Sequence, residues 1–353
     1  GKREGAGDIT YDQILYRILT PAAEIGTRFV HFSGGEFLIR KDSSDLLHQA
    51  NKMGFHISVV SNGTTINEKM LRKLKSILGD NLLVSLGINS FDAENPKTRQ
   101  TYADFILKKI HLLEIHGIRV NLSVTIGEFN KHTFSDTVQR IRAMGLPFNR
   151  IPFAVRNCSN YELMYDSDMM REYFHPVLRK YFNGCVSYTP FLLNVEHYEN
   201  VSGQNEKENR VPTNPSVGCW CGSFYAINPE GEVSICPLLL DHVSAGNVLT
   251  EELNSILKDS ALFKGVIKRD CINGRCGKCK YRFTCGGCRA MAYYKSGKVF
   301  DEDPTCFIAD LSGNELLAIE EETRKSFDNY VRMAGVGKTY FAPSASSGIA
   351  GKQ

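Results

Sequence analysis

The cysteines of this chain are concentrated in its last third, and their spacing limits what that part can fold into. Nine of the eleven lie between positions 219 and 306: Cys219, Cys221, Cys236, Cys271, Cys276, Cys279, Cys285, Cys288 and Cys306. Two Cys-x-x-Cys pairs follow one another, and thiolates at that spacing can reach one iron or zinc centre from a single turn. Nine thiols exceed the needs of one four-ligand site. The sequence therefore predicts two metal centres, and iron–sulfur clusters fit best.

Two other uses of the cysteines stay open at this point. A disulfide framework is typical of small secreted proteins, whereas this chain has 353 residues. Two structural zinc sites of the ribbon type would use the same spacing. Cys158 and Cys185 stand apart from the group, and we expect them to be buried packing residues.

Composition excludes several classes of function. The net charge is +3 and no basic block is present, so nothing indicates a nucleic-acid partner. No apolar run approaches the roughly 20 residues that span a bilayer, and no secretory signal is visible. Cysteine usage of the metal type favours a reducing compartment, so we expect a cytoplasmic protein without a membrane partner.

The first 157 residues alternate between strand and helix patterns at a nearly constant period. Strands are predicted at 28–33, 56–60, 82–86, 120–126 and 151–155. Helices are predicted at 9–25, 43–53, 67–78, 102–116 and 134–144, the first with Thr10 as N-cap and Gln13 completing a capping box. This order indicates a parallel α/β sheet, either a barrel or an open doubly wound sheet.

In such folds the loops after the strands carry the chemistry. Gly34, Gly35 and Glu36 follow the first predicted strand, and a carboxylate beside two glycines can approach a ligand ammonium closely. Asn62 follows the second strand, although an ordinary turn residue is the alternative. Further candidates are Ser85, Asn121 and Ser123 on the strands, the 87–90 segment and Arg156.

The sequence after residue 157 predicts several smaller structural units. Residues 158–215 form a bridging segment, with a polar linker or substrate loop at 196–215. A hairpin at 224–236 has its turn at 228–231 and would bring Cys221 and Cys236 toward one site. Residues 251–258 and 261–268 are predicted to form one bent helix or two short ones, and a C-terminal helix is predicted at 314–333. The tail beyond residue 340 is expected to be disordered.

These features together resemble the radical S-adenosylmethionine (AdoMet) superfamily, and within it the enzymes with a SPASM domain. Segment 33–40 is similar to the Gly-Gly-Glu-Pro segment that binds the amino group of AdoMet, with Phe37 where proline is usual. The cysteine pattern is similar to the SPASM pattern. The resemblance covers roughly residues 8–310.

The resemblance implies a fold and domain boundaries. The fold is α/β, a partial (β/α)6 TIM-like barrel over 1–157 followed by a small Cys-rich α+β SPASM domain at 216–310. Residues 158–215 would bridge the two parts. A C-terminal helix would occupy 311–340 and a tail 341–353.

It also implies the ligand sets. One auxiliary [4Fe–4S] cluster would be held by Cys276, Cys279, Cys285 and Cys306. The other would be held by Cys221, Cys236 and Cys288, with Cys219 or Cys271 as fourth ligand or with one iron left open. Glu36 would hold the AdoMet ammonium, and Asn62, Ser85 and Ser123 would contact its carboxylate or ribose.

One departure from the family concerns its Cys-x3-Cys-x2-Cys motif, which holds the AdoMet-cleaving cluster and is absent from the printed sequence. The motif and the first barrel strand would both precede Thr10. We expect the sequence to begin just downstream of them, since a barrel without its first strand leaves an unpaired edge. A protein without that cluster is the alternative.

For the complete protein, the resemblance implies that a third cluster injects an electron into AdoMet. The 5′-deoxyadenosyl radical so formed abstracts a substrate hydrogen. The substrate is expected to be a ribosomally made peptide; a haem-precursor side chain is the alternative, and a non-catalytic electron-transfer protein is a third possibility. An external donor such as flavodoxin or ferredoxin is the expected electron partner.

Overall fold

Five parallel strands form the centre of the first half of the protein. The computed structural model describes residues 8–92, 103–155, 160–181, 188–193, 197 and 218–334. The strands are β1 (Phe29–Phe32), β2 (His56–Ser61), β3 (Leu82–Gly87), β4 (Arg119–Ile126) and β5 (Phe148–Pro152). Each pairs in parallel with the next, in chain order. Because the order never reverses, the sheet has no switch point and winds as one curled half-barrel, which confirms the predicted partial barrel over an open doubly wound sheet.

The helices between the strands pack on one face of this sheet. They span Ser43–Lys52, Glu68–Leu78, Ala103–Ile115 and Phe134–Ala143. Helix Glu68–Leu78 illustrates how the sequence specifies them. Asn67 caps it by accepting the backbone N–H of Met70 at 3.0 Å, and Leu71, Leu74 and Leu78 form its buried stripe.

The two faces of the sheet differ in chemistry. Val84 and Leu86 on β3 are buried in the hydrophobic core that includes the helix stripes. Their neighbours Leu83 and Ser85 point to the opposite, concave face, because side chains alternate along a strand. Ser85 stands beside Asn121 in the register of β3 and β4. The convex face is therefore apolar and the concave face largely polar.

The first helix begins as predicted but contains an irregular turn. Thr10 and Gln13 form the expected capping box. The helix is α-helical over Tyr11–Gln13 and Thr20–Glu24, with a π-helical segment, Ile14–Leu19, between them. Pro21 has no N–H for the carbonyl four residues before it, which removes one α-helical hydrogen bond at this point.

The predicted fifth strand, 151–155, was placed too late in the sequence. The strand is β5, Phe148–Pro152, and its pairing with β4 begins at Leu122 opposite Phe148. Phe148 and Arg150 are buried on alternate positions, so the strand pattern already starts before Ile151. Hydrogen bonding to β4 continues one residue past the strand, where the Phe153 N–H donates to the Ile126 carbonyl at 2.9 Å.

Part of the bridging segment, for which the sequence predicted no helix, is helical. Ser167–Met169, a π-helical stretch Met170–Phe174 and His175–Lys180 follow one another without a break. The Asp166 carboxylate caps this helix by accepting the N–H of Met169 at 2.8 Å. Cys158, Cys185 and Arg156 lie outside the described residues, as do the tail and most of the 196–215 loop.

The Cys-rich part is built from short elements, apart from the last helix, which has 22 residues. The predicted hairpin is present as β6 (Ala226–Ile227) and β7 (Glu232–Ser234), and a third antiparallel strand, β8 (Gly246–Asn247), extends it. The hydrogen bond from the Gly231 N–H to the Asn228 carbonyl, 3.0 Å long, closes the predicted turn. The helices here are Leu253–Asp259, Ala261–Lys268, Gly274–Gly277, Arg282–Cys285, Arg289–Ser296 and Gly313–Ala334.

Direct hydrogen bonds join the two halves. The Ile9 N–H donates to the Pro229 carbonyl in the hairpin turn at 2.9 Å, and the Thr27 and Tyr225 hydroxyls lie 3.0 Å apart. On the other side, Arg150 of β5 donates to the Thr189 carbonyl at 3.2 Å. Among the described helices, none is both long and apolar enough to cross a membrane.

The contrast between the two sheet faces predicts unequal effects of the same substitution on β3. Leu86→Ala should lower the free energy of unfolding by about 2–5 kcal/mol, because it opens a cavity in the fully buried convex core. Leu83→Ala, on the half-buried concave face, should cost about 1 kcal/mol. Urea unfolding of both variants measures the difference, and equal losses would contradict the assignment of the faces.

Candidate functional site

The nine cysteines between 219 and 306 are all free thiols, so they form no disulfide framework. Eight of them fall into two groups of four. We call Cys276, Cys279, Cys285 and Cys306 the cavity group. We call Cys219, Cys221, Cys236 and Cys288 the hairpin group. Among the described residues, no three His, Cys, Asp or Glu side chains converge on a position for a single metal ion.

The cavity group lines one cavity of about 270 Å³. Backbone N–H groups from separate segments donate to its sulfurs: Asp303 to Cys276 at 3.3 Å, Tyr281 to Cys279 at 3.4 Å, and Phe191 to Cys285 at 3.2 Å. Hydrogen bonds of this kind favour the thiolate and tune iron–sulfur clusters. Four thiols around one space with donors already aimed at sulfur fit a cluster of several atoms.

Burial opposes ionisation of these thiols when nothing cationic binds them. It raises the pKa of Cys285 to about 12 and raises the pKa of Cys306 still further. A bound metal reverses this preference, since a coordinating thiol loses its proton outright. The cavity group therefore has the chemistry of a ligand set rather than of reactive surface thiols.

The hairpin group gathers around Cys221, as the hairpin predicts. Hydrogen bonding with the Cys219 and Cys236 thiols, and then burial, raise the pKa of Cys221 well above its ordinary value. Hydrogen bonding with Cys221 lowers the pKa of Cys219 to about 5. Burial, the Asp303 carboxylate and Cys219 raise the pKa of Cys288, so we assign Cys288 to the same group.

The structure separates the two candidates for the fourth ligand of this group. Cys219 interacts with Cys221 and Cys288, and the backbone N–H of Arg289 donates to its sulfur. Cys271 is exposed and its sulfur lies against Gly265 on helix Ala261–Lys268. The geometry therefore favours Cys219 over Cys271.

Two glycines allow the two groups to approach each other. Gly286 and Gly287 have φ values of 73° and 58°, in the left-handed region that favours glycine. A Cβ on Gly287 would lie 2.6 Å from Nη2 of Arg289 and 3.1 Å from the Cys276 sulfur. The Cys-Gly-Gly-Cys run thus contributes Cys285 to the cavity group and Cys288 to the hairpin group. The space between them is too narrow for a side chain on Gly287.

Asp303 connects the groups and was not singled out from the sequence. Its N–H donates to the cavity-group sulfur of Cys276, while its carboxylate accepts the N–H of hairpin-group Cys288 at 2.6 Å. The carboxylate also accepts the N–H and hydroxyl of Thr305 at 2.9 and 2.7 Å. Its place beside a late cysteine, Asp-Pro-Thr-Cys306, was the available signal.

A second polar site lies where β1 and β2 end. The Glu36 carboxylate accepts the Ser61 hydroxyl at 2.9 and 3.1 Å, the Asn62 N–H at 3.0 Å and the Thr65 hydroxyl at 3.2 Å. These donors fill most of its acceptor positions. Glu36 therefore joins the Gly34–Gly35 turn to the loop after β2, and its expected role as ammonium ligand stays a prediction.

The side-chain oxygen of Asn62, another predicted ligand of this site, is occupied by local hydrogen bonds. Asn62 turns its side-chain oxygen back to the N–H and hydroxyl of Thr64, at 2.9 and 2.6 Å, as in an ordinary turn. Ser61 and Thr65, which the sequence analysis did not single out as Glu36 partners, supply hydroxyl groups instead. The run Ser-Asn-Gly-Thr-Thr directly after a buried strand was the signal for them.

Ser85 and Ser123 lie together on the concave face. Their hydroxyls are 2.8 Å apart, and the Asn121 amide donates to Ser85 at 3.0 Å. All three side chains are buried. The structure thus brings the predicted strand residues into one polar cluster, while their contact with a ligand stays a prediction.

Comparison with known proteins identifies a family for the first part of the chain. Residues 1–141 match the family model described as Radical SAM superfamily. This part of the chain is a radical SAM domain. AdoMet and [4Fe–4S] clusters are therefore its cofactors. The number of clusters and their ligands remain predictions.

Relatives include proteins with different substrates. An AdoMet-dependent heme synthase of Methanosarcina barkeri is 24% identical over 314 residues, covering 85% of this chain and 88% of that protein. A PqqA peptide cyclase of Granulibacter bethesdensis is 23% identical, covering 83% and 78%.

The fold matches solved structures over nearly the whole chain. Native anSMEcpe with bound AdoMet has a TM-score of 0.61 at 16% identity, covering 95% of this chain and 92% of that one. The same enzyme has been solved with AdoMet and a peptide.

The separation of Cys219 from Cys271 makes a direct prediction. Cys219→Ser should remove about four irons per chain from anaerobically purified protein, because one cluster loses a ligand. Cys271→Ser is the matched control and should leave the iron and sulfide content unchanged. Loss of iron from Cys271→Ser with retention in Cys219→Ser would reverse the assignment.

Proposed function

We propose that this protein is a radical SAM enzyme of the SPASM type, in which the cavity group and the hairpin group each hold an auxiliary [4Fe–4S] cluster. The observation that carries the proposal is the grouping of eight cysteines into two sets of four, joined through Asp303. A reduced [4Fe–4S] cluster would supply the electron for AdoMet cleavage, and the reactive species for substrate oxidation would come from AdoMet. The protein holds, orients and shields the reactants.

The proposed AdoMet-binding end is the mouth of the half-barrel. There the Gly34–Gly35 turn is fixed by Glu36 to the 61–65 loop. The Ser61 and Thr65 hydroxyls can rotate and either donate or accept, so a ligand ammonium can share the carboxylate with them. Gly34, at φ 122°, leaves the space beside the turn open: a Cβ there would contact nothing within 4 Å.

For the substrate we propose a ribosomally made peptide. The concave face is polar at Ser85, Asn121 and Ser123. Ser85 and Ser123 stay the predicted ligands of the AdoMet carboxylate or ribose, and a polar face of this kind suits the backbone of an extended peptide. Similarity to a peptide cyclase and to an enzyme solved with a bound peptide supports this choice. A flavodoxin or ferredoxin would be the electron donor in the cytoplasm.

A haem precursor is the second candidate. It is supported by the similarity to a heme synthase over most of both chains. The two candidates differ in what must bind: a tetrapyrrole changes its visible spectrum in a protein pocket, whereas a peptide does not.

The substrate is tested with the native full-length protein, purified anaerobically and supplied with AdoMet and dithionite. Peptides encoded near its gene should change mass only when AdoMet is present. Fe-coproporphyrin, titrated in parallel, should keep the visible spectrum of the unbound compound. A spectral change with saturation, together with unchanged peptides, would replace the peptide proposal by the tetrapyrrole one.

Binding of AdoMet separates both enzymes from a non-catalytic electron-transfer protein. Glu36→Gln should weaken AdoMet binding about 10-fold, since a charge-assisted hydrogen bond contributes roughly 1.5–3 kcal/mol. Asp42→Asn is the control, because Asp42 is a half-buried carboxylate on the same segment that pairs with Arg40. Equilibrium dialysis with labelled AdoMet measures both. Equal affinity in the Glu36 variant and the wild type would contradict the placement of AdoMet.

A further inference from the structure

Two buried arginines lie at the junction of the hairpin group and the cavity group. Arg269 and Arg289 are each 2% exposed. A buried charge is costly unless an opposite charge compensates it. Within the described part of the chain, neither guanidinium has a carboxylate at ion-pair distance. We propose that Arg269 and Arg289 are the built-in counter-charges of the two auxiliary clusters and raise their reduction potentials. This inference rests on the proposed function.

Every hydrogen bond of Arg269 goes to a backbone carbonyl. It donates to Phe283 at 2.7 Å, to Cys219 at 3.0 Å and to Arg282 at 3.3 Å. Carbonyl oxygens orient the guanidinium but do not neutralise it. Its charge acts on the sulfurs of Cys219, Cys221 and Cys285, which belong to both groups.

The backbone around Arg269 is adapted to hold this side chain. Arg269 itself has φ 58°. Among the residues that the structure describes, no other residue except glycine has a positive φ. Glycine or asparagine would fit that backbone more easily. A Cβ on Gly286 would lie 2.8 Å from the Arg269 Cζ, so the first glycine of the Cys-Gly-Gly-Cys run leaves room for the guanidinium.

The Arg289 guanidinium, like that of Arg269, is hydrogen-bonded only to backbone carbonyls. It donates to the carbonyls of Asp301 at 2.7 Å, Val299 at 2.9 Å and Gly287 at 3.3 Å. Its Nη2 is buried without a hydrogen-bond partner. That nitrogen and the Cys276 sulfur crowd the same side of Gly287, at 2.6 and 3.1 Å from the position of an added Cβ.

The consequence is electrostatic. A cluster with four thiolate ligands is anionic and gains another negative charge on reduction, so nearby fixed cations stabilise its reduced state more than its oxidised state. Asp303 brings a carboxylate to the same junction, but the two guanidiniums outnumber it. Net positive charge therefore remains to face the clusters.

The test is a potentiometric titration followed by electron paramagnetic resonance on the full chain with its clusters. Arg269→Gln and Arg289→Gln should each lower the midpoint potential of at least one auxiliary cluster by about 59 mV or more, a tenfold change in the ratio of reduced to oxidised cluster for a one-electron couple. Arg171→Gln is the control. It removes the same charge from an exposed pair with Glu315 and should leave the potentials unchanged.

Lysine variants separate charge from shape. Arg269→Lys keeps the charge and should hold the midpoint close to that of the wild type. If Arg269→Gln loses iron while Arg269→Lys keeps it, the counter-charge role is supported; loss from both overturns it. Midpoints in the glutamine variants equal to that of Arg171→Gln, with clusters intact, also overturn it. Absence of clusters from the wild-type protein would instead refute the proposed function.

Discussion

Backbone N–H groups that donate to buried sulfur atoms organise the Cys-rich half of this protein. The N–H groups that reach the cavity group come from Phe191, Tyr281 and Asp303, which are far apart in sequence. A backbone N–H that donates to sulfur cannot also join a helix or strand ladder. This explains why the two helices that carry cavity-group cysteines, Gly274–Gly277 and Arg282–Cys285, are only four residues long.

In the half-barrel, the backbone N–H groups of the strands bond to neighbouring strands and not to sulfur. Its backbone groups are satisfied in a regular parallel ladder, and its stability comes from apolar burial between the convex face and the helices. The concave face is thereby released from packing and can carry polar groups such as Ser85 and Asn121. One half of the molecule thus offers a regular scaffold with a polar wall, and the other offers an irregular scaffold fitted to sulfur.

Regular elements were predictable because their signals are local. The Thr10 capping box, the Asn67 cap and the turn before Gly231 each depend on neighbours in sequence, and all are present. The start of β5 was missed because a short strand beside two prolines carries a weak pattern. The grouping of cysteines by four was expected from family resemblance, whereas the preference for Cys219 over Cys271 required coordinates.

Residues that act through long-range contacts were not predictable. Nothing in the sequence near Arg269 distinguishes it from a surface arginine, since its partners Cys219 and Phe283 are 50 and 14 positions away. Asp303 likewise gains its role only when the chain returns to Cys288. Glu36 was identified because it follows a strand directly, but its partner Thr65 lies 29 residues further on.

The bond from the Ile9 N–H to the Pro229 carbonyl has a consequence for how such proteins diversify. The segment that leads into the first barrel helix is fastened to the hairpin that carries the thiols, and Thr27 with Tyr225 fastens it again. A Cys-rich module placed on another barrel would keep the backbone bond only where the chain enters that barrel along the same path. The Thr27–Tyr225 contact joins two side chains, so it would be kept only if both residues were exchanged together.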